Sequence, residues 1–134
     1  MNQKSIWILM IAAAFLVAAI IFSYRSGTNL ALVKFTSSGC FHYLESHLRV
    51  YKKNDKLFAQ FKTEGKPIRE TIIESSQLLS LNVFVKEIKD LDKKRMSTTL
   101  TTYHVAFNNE VFSIVDNGGR SAPFESLKQS LFGK

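Results

Sequence analysis

Residues 44–62 read LESHLRVYKKNDKLFAQFK, and this stretch decides the fold of the chain. Apolar and polar side chains alternate on both sides of the dipeptide Asn54-Asp55, which is the period of a β-strand with one buried face. Asparagine and aspartate favour turns, so the stretch predicts a β-hairpin that reverses at this dipeptide. A loop of two residues, or of four residues over positions 53–56, places Leu48 opposite Phe61.

The predicted register divides the hairpin into two faces. Because the side chains of a strand point alternately to opposite sides, one face is predicted to be buried. Its residues are Leu44, Leu48, Val50, Leu57, Ala59 and Phe61. The outward face holds His47, Arg49, Tyr51, Phe58, Gln60 and Lys62.

The outward face of this hairpin is the best candidate for a binding surface. Large aromatic side chains beside an arginine on a solvent face are typical of the residues that carry most of the energy of an interface. The predicted binding residues are Arg49, Tyr51, Phe58 and His47. Two alternatives stay open: a helix covers this face, or Tyr51 and Phe58 are only a cross-strand pair.

Further strands and two helices are predicted from shorter patterns. Residues 30–35 read as a first strand, and residues 68–73 as a short edge strand. Residues 76–91 are predicted to form one long helix, because their apolar positions recur at the helical period. Its apolar stripe is Leu78, Leu81, Phe84, Val85, Ile88 and Leu91. Residues 121–133 are predicted to form a short C-terminal helix, with a proline in its first turn and a glycine at its end.

A second hairpin is predicted over residues 103–114. It turns at an asparagine pair, because asparagine tolerates the positive φ that a tight hairpin turn requires. Pairing Val105 with Phe112 directs the aromatic and β-branched side chains to the core. The same register places His104 and Ser113 together on the opposite face.

The N-terminal run that begins at Ile6 and ends at Phe22, IWILMIAAAFLVAAIIF, has 17 consecutive residues without a charged or polar side chain. A helix of this length spans about 25 Å, and the hydrocarbon core of a bilayer is about 30 Å thick. Trp7 and Tyr24 lie where aromatic rings favour the membrane–water boundary, and Lys4 favours a cytoplasmic N-terminus. These features predict an uncleaved anchor that contacts the membrane through this run. The alternative is a cleaved signal sequence.

Together these elements predict an α+β fold. An N-terminal transmembrane helix is followed by a small antiparallel sheet of two hairpins, packed with one long helix and a short C-terminal helix. The predicted division is a membrane anchor or signal sequence over residues 1–25, a linker over 26–29 and an extracytoplasmic domain over 30–134. The predicted location is the cell membrane, with a single span and the C-terminal domain outside the cytoplasm.

Charge and cysteine content exclude several classes of protein. The 134 residues include 18 Lys and Arg against 11 Asp and Glu, a net charge of +7, but the basic residues are scattered among acids and form no nucleic-acid-binding motif. We therefore expect no nucleic-acid partner. A mildly basic domain instead suits an envelope protein or an anionic envelope polymer. Cys40 is the single cysteine, so no internal disulfide can form.

Cys40, His42 and His47 are the best candidates for metal binding or thiol chemistry. A zinc site usually takes four ligands at recognisable spacings, and the sequence has no such set. We therefore assign no catalytic residue, no metal ligand and no cofactor, and we expect Cys40 to be buried at a strand bend. Residues 93–95 (KKR) and 117–121 (NGGRS) are weaker candidates for anion contacts; a solvated helix end and a plain strand-to-helix turn are the alternatives.

The segment before the first hairpin, residues 35–42 (FTSSGCFH), precedes the alternating strand Leu48-Arg49-Val50-Tyr51 and its turn. This arrangement resembles small exported bacterial domains of unknown function, which carry a Gly-Cys-Phe segment before their first hairpin. The closing helix over residues 124–133 is also similar, and the resemblance extends over most of residues 33–133. It implies a location in the cell envelope, and it implies no established activity or catalytic residues.

The sequence therefore predicts a membrane-anchored protein whose small extracytoplasmic domain binds an unspecified ligand. One alternative is a small thiol- or metal-dependent enzyme that uses Cys40 and a histidine. Another is an assembly subunit of a membrane complex, in which the transmembrane helix makes the main contact.

Overall fold

The computed structural model describes residues 27–40, 42–91, 99–116 and 121–133, together with residues 3, 8, 10, 11 and 13–15, which are helical. The strands in the described part of the chain are β1 (Thr28–Ser38), β2 (Tyr43–Lys53), β3 (Lys56–Thr63), β4 (Arg69–Ile73), β5 (Leu100–Phe107) and β6 (Glu110–Asp116). β4 is followed by a 3₁₀ turn (Ser75–Leu78) that leads directly into helix α1 (Leu79–Lys89). β6 is followed by helix α2 (Ala122–Phe132).

The strands form one antiparallel sheet in the order β4-β3-β2-β1-β5-β6. β1 lies inside the sheet, because it pairs with β2 on one side and with β5 on the other. β2 and β3 form the first hairpin, and β5 and β6 form the second. β4 extends the first hairpin as an edge strand. The first strand of the chain therefore joins two hairpins that are far apart in sequence.

Both hairpins reverse through the tight turns that the sequence predicts. The turn residues 54–55 have φ values of 50° and 59°, and residues 108–109 have φ values of 51° and 60°. Asparagine and aspartate visit this left-handed region more readily than other non-glycine residues, and the twist of such turns matches that of the flanking strands. The predicted register is confirmed in the first hairpin, where Leu48 lies opposite Phe61. The register predicted for the second hairpin is confirmed as well.

The core lies between one face of the sheet, which we call the core face, and the two α-helices. Phe35 of β1 stacks on Phe124 of α2, with ring centroids 4.6 Å apart and planes at 4°. The Phe35 ring also lies 5.4 Å from that of Tyr103 in β5, which meets the ring of Phe84 in α1 edge-on at 5.8 Å. All four rings are almost fully buried. Burial of aromatic rings in such contacts stabilises the attachment of both helices to the sheet.

Alternation within the first hairpin predicts its core face at most positions. Leu48, Val50 and Ala59 are buried, and Leu57 and Phe61 pack against the buried cluster. Leu44 is the exception, because it is the second residue of β2 and remains 42% exposed. The predicted C-terminal helix is confirmed, since α2 has Pro123 in its first turn and ends before Gly133. It buries Phe124, Leu127 and Leu131.

The fold class differs from the prediction. We expected an α+β domain with a small sheet of two hairpins and one long helix, and this is wrong: the domain is mostly a single six-stranded antiparallel sheet with short helices. Alternation indicates that a segment is a strand, but it does not identify the distant strand with which that segment pairs. The helix predicted over residues 76–91 is shorter, because its first turn is 3₁₀ and α1 ends at Lys89.

The structure also contradicts the predicted membrane anchor. Among the described residues, no helix is long and apolar enough to cross a membrane. Two predictions that depend on the run from Ile6 to Phe22 are therefore wrong, namely the transmembrane helix and the single-pass location in the cell membrane. The predicted contact of this run with the membrane stays a prediction. Residues 4–7, 9, 12 and 16–26, which include much of the run, lie outside the described residues.

Candidate functional site

The face of the sheet opposite the core, which we call the open face, carries exposed side chains from every strand. Some of them are apolar: Leu32 is 42% exposed, Ile72 is 60% exposed and Val111 is 83% exposed. Ile72 is on the edge strand β4, whereas Leu32 and Val111 are joined across β5 through Ala106. Contiguous apolar patches on a solvent face, rimmed by polar side chains, mark interaction sites.

A row of basic side chains crosses the open face. Lys62 lies opposite His47, His47 opposite Lys34, and Lys34 opposite His104. We call these residues on β3, β2, β1 and β5 the basic row. Neighbouring strands are about 4.8 Å apart, so the row extends over roughly 14 Å. Ser113 of β6 continues the same line beside His104.

The next line of side chains, two residues along each strand, changes from polar to apolar. Gln60 lies opposite Arg49, and Arg49 lies opposite Leu32. Leu32 is followed by Ala106 and Val111 on β5 and β6. We call this line the mixed row, because its β3 and β2 positions are polar and its β1, β5 and β6 positions are apolar.

The two rows enclose a depression of about 510 Å³ in the open face. All members of the basic row and the mixed row line it, together with Ser113 and the intervening positions Val33, Leu48, Val105 and Phe112. No aspartate or glutamate is among these lining residues. The volume lies within the range of about 300–1,000 Å³ that is usual for small-molecule sites.

Glu45 forms ion-pair contacts with two members of the basic row. Its carboxylate lies 3.3 Å from Lys34 Nζ and 2.7 Å from His47 Nε2. The hydroxyl of Tyr43 donates a hydrogen bond of 2.7 Å to the same carboxylate. The hydrogen bonds from Tyr43 and then from His47, with a further contribution from Lys34, lower the pKa of Glu45 to about 2. Glu45 is therefore ionised across the physiological range.

At the other end of the basic row, His104 Nδ1 and Ser113 Oγ are 2.6 Å apart and share a hydrogen bond. This contact follows from the predicted register of the second hairpin, which placed both residues on the face opposite the core. It joins the His104 imidazole to the neighbouring strand β6, at the wall of the depression.

The structure divides the four predicted binding residues into two pairs. All four lie on the open face, in accordance with the predicted register. His47 and Arg49 line the depression, whereas Tyr51 and Phe58 lie beside it. The assignment of these residues to a binding site stays a prediction.

Tyr51 is more buried than its outward position suggests, with 7% of its surface exposed. Its ring stacks on the ring of Phe58, with the two centroids 5.2 Å apart. The guanidinium of Arg49, which is also on β2, lies 4.4 Å from the centroid of the Tyr51 ring. Its hydroxyl donates to Glu70 Oε2 at 2.6 Å. Burial and then this hydrogen bond raise the pKa of Tyr51 to about 12. Tyr51 therefore supports Arg49 and offers little free aromatic surface, which corrects the expectation of an exposed aromatic ring.

Several lining residues were not predicted as site residues, above all Lys34, His104 and the apolar positions Leu32 and Val111. The alternation of β1 places Leu32 and Lys34 on one face, so the sequence could have assigned both residues to the face opposite the core. Their position next to β5 depends on a pairing between distant segments, and the sequence does not indicate that pairing.

The segment around Cys40 differs from the prediction. Cys40 is a free, exposed cysteine, so the expectation that it is buried is wrong. It lies in the connection from β1 to β2, where the Gly39 N–H donates to the His42 carbonyl oxygen at 2.9 Å. Among the described residues, no group of three or more His, Cys, Asp and Glu could hold a metal ion. Residues 93–95 and 117–120, the weaker anion-binding candidates, lie outside the described part of the chain.

No protein-family model matches the chain, and no curated protein matches it in sequence. The resemblance to small exported domains therefore stays a prediction.

Proposed function

We propose that this domain is a binding domain without catalytic activity, and that its ligand occupies the depression in the open face. The observation that carries the proposal is the lining of that depression. Cationic side chains and apolar side chains converge on it from five adjacent strands, with no acidic residue among them. A concave, largely apolar site with a few convergent polar groups is the usual form of a small-molecule site.

The polar groups of the depression are held before any ligand arrives. Arg49 is packed over Tyr51, and its Nε donates to Asn29 Oδ1. Lys34 and His47 are both held by Glu45. Side chains that are already ordered lose less conformational entropy on binding, so such a site binds more tightly than a flexible one of equal area.

The proposal is tested by mapping where small probes bind to the full chain. Three probes are used: dansylglycine, dansylamide and dansylcadaverine. They share one fluorophore and differ in charge. Contacts that all three make therefore identify a binding surface that does not depend on the charge of the probe. We expect at least one of them to shift the backbone amide NMR signals of residues in the basic and mixed rows. Shifts confined to the outer surfaces of α1 and α2, or no shifts with any probe, would contradict the proposal.

Two exposed valines provide a matched pair of variants for this test. Val111 is 83% exposed at the edge of the depression, and Val83 is 57% exposed on α1. Val111→Asp should weaken probe binding, because it introduces an unpaired charge into the apolar half of the site. Val83→Asp should leave probe binding unchanged. Equal effects of the two substitutions would show that the probes do not bind in the depression.

The hydrogen bond between His104 and Ser113 favours one second candidate, an ester hydrolase. A serine becomes nucleophilic when a histidine within hydrogen-bond reach accepts its proton, and the separation of 2.6 Å meets that requirement. The test is the hydrolysis of p-nitrophenyl acetate by the full chain, with Ser113→Ala as the control. Turnover that disappears in the variant supports a hydrolase. Equal rates for both proteins support a binding domain.

A further inference from the structure

We infer that the ligand of the depression is a small amphiphilic carboxylate, with its carboxylate group between Arg49 and the basic row and its apolar body over the apolar half of the mixed row. This ligand class presupposes the proposed function, since it specifies what the same depression binds. It follows from three features of the open face: the sign of the charge, the position of the nearby acids, and the division of the mixed row.

The charge of the lining favours an anion. Lys34, Arg49 and Lys62 line the depression with ammonium and guanidinium groups, and His47 and His104 add two imidazole rings. A concave site lined by one sign of charge concentrates ligands of the opposite sign. The planar guanidinium of Arg49 is suited to a carboxylate, with which it can form two parallel hydrogen bonds.

The acids nearest to the basic row lie on its other side. Glu45 and Glu64 line a separate, smaller depression of about 300 Å³ together with His47 and Lys62. They therefore offset part of the charge on that side of the row and repel an anion from it. The side that faces the mixed row contains Arg49 and no lining acid. Glu70 continues the mixed row on β4, but its carboxylate accepts hydrogen bonds from Gln60 and Tyr51 and does not line the depression. A ligand carboxylate is thus directed to the position between Arg49 and the basic row.

The mixed row accounts for the apolar part of the ligand. From Leu32 through Ala106 to Val111 its side chains are apolar, and Leu32 and Val111 are 42% and 83% exposed. From Arg49 to Val111 the row crosses three strand spacings, or about 14 Å. A medium-length alkyl chain that begins at Arg49 would cover these side chains and remove their apolar surface from water. A short anion such as acetate would leave them exposed.

The experiment compares four probes by isothermal titration calorimetry with the full chain: decanoate, decanol, acetate and decylamine. Decanol has the chain without the charge, acetate has the charge without the chain, and decylamine reverses the charge. We expect decanoate to bind at least about tenfold more tightly than decanol. Acetate and decylamine should bind more weakly than either. Decanol or decylamine binding as tightly as decanoate, or no binding of decanoate, would overturn the inference.

The location of decanoate is checked by variants with a matched control. Lys34→Gln should lower the affinity for decanoate by about threefold to tenfold and leave the affinity for decanol unchanged, because it removes a charge and keeps most of the side chain. Lys86→Gln removes an exposed lysine from α1 and should change neither affinity. Lys62→Gln repeats the test at another strand of the basic row. Equal losses for decanoate and decanol, or no loss in either basic-row variant, would overturn the inference.

The two proposals fail in distinguishable ways. If the dansyl probes shift the amides of the open face but decanoate and decanol bind equally, the ligand class is wrong and the binding face stands. If neither the dansyl probes nor decanoate perturbs the open face, both the ligand class and the binding face are wrong.

Discussion

The core face and the open face are formed by the same six strands, and they differ in what their side chains contact. On the core face, Phe35, Tyr103 and Phe84 pack against one another and against the helices, and almost none of their surface is exposed. On the open face, Arg49 and Tyr51 also pack closely, but beside an open depression. Burial of apolar surface stabilises a fold more than exposed ion pairs do. Stability and the proposed binding can therefore be altered separately in this domain.

The largest expected effect distinguishes the faces by their contribution to stability. Phe84→Ala should lower the free energy of unfolding by about 3–5 kcal/mol, because it opens a cavity in a well-packed core. Phe58→Ala is the open-face control and should cost clearly less, since Phe58 is only partly buried. Urea denaturation of both variants measures the two losses. Equal losses would show that the open face contributes to the core as much as the helices do.

Tyr51→Phe tests whether the packing on the open face depends on one hydrogen bond. The substitution removes the bond from the Tyr51 hydroxyl to the Glu70 carboxylate and should cost about 1–2 kcal/mol. Because burial and this bond raise the pKa of Tyr51 to about 12, the wild type should lose the associated stability as pH rises from about 10 towards 12. The variant should lack that component of the alkaline loss. Parallel pH profiles of the melting temperature for both proteins would contradict this assignment.

Glu45 gives a smaller effect with the opposite dependence on pH. Its folded-state pKa of about 2 lies below the ordinary value, so its contribution to stability is present at neutral pH and is lost as pH falls towards 2. The loss should be modest, because Glu45 lies at the surface. Carboxyl-carbon NMR gives the midpoint directly. Tyr43→Phe should raise that midpoint, since the Tyr43 hydroxyl is the largest cause of the shift. An unchanged midpoint in the variant would show that another contact dominates.

Val111→Ser is expected to have the smallest effect on folding. The side chain is 83% exposed, and surface substitutions away from caps and networks usually change stability by less than about 0.5 kcal/mol. The same substitution should weaken decanoate binding, because it removes apolar surface from the mixed row. Thermal melts and calorimetry of one preparation test both statements. A large drop in melting temperature would show that the open face is covered at this position.

Local pairing in this fold could be predicted from the sequence, and distant pairing could not. Both hairpin registers follow from turn residues that tolerate positive φ, and the alternation on each side then assigns the faces. This also places His104 beside Ser113 and Arg49 beside Tyr51. The insertion of β1 between β2 and β5 has no local signal, so the basic row could not be predicted. The burial of Tyr51 was missed for a related reason, because its hydroxyl partner Glu70 belongs to another strand.

The central position of β1 has a consequence for the order in which the domain folds. Each hairpin closes a short loop and can form early, whereas the pairing of β1 with β5 closes a loop that contains most of the domain, at a higher entropic cost. We therefore expect the β1–β5 pairing to be the late step. Leu32 and Lys34 lie on one side of that junction, and Ala106 and His104 lie on the other. The open face is thus completed only when folding is complete, and a ligand that contacts both sides of the junction would selectively slow its opening.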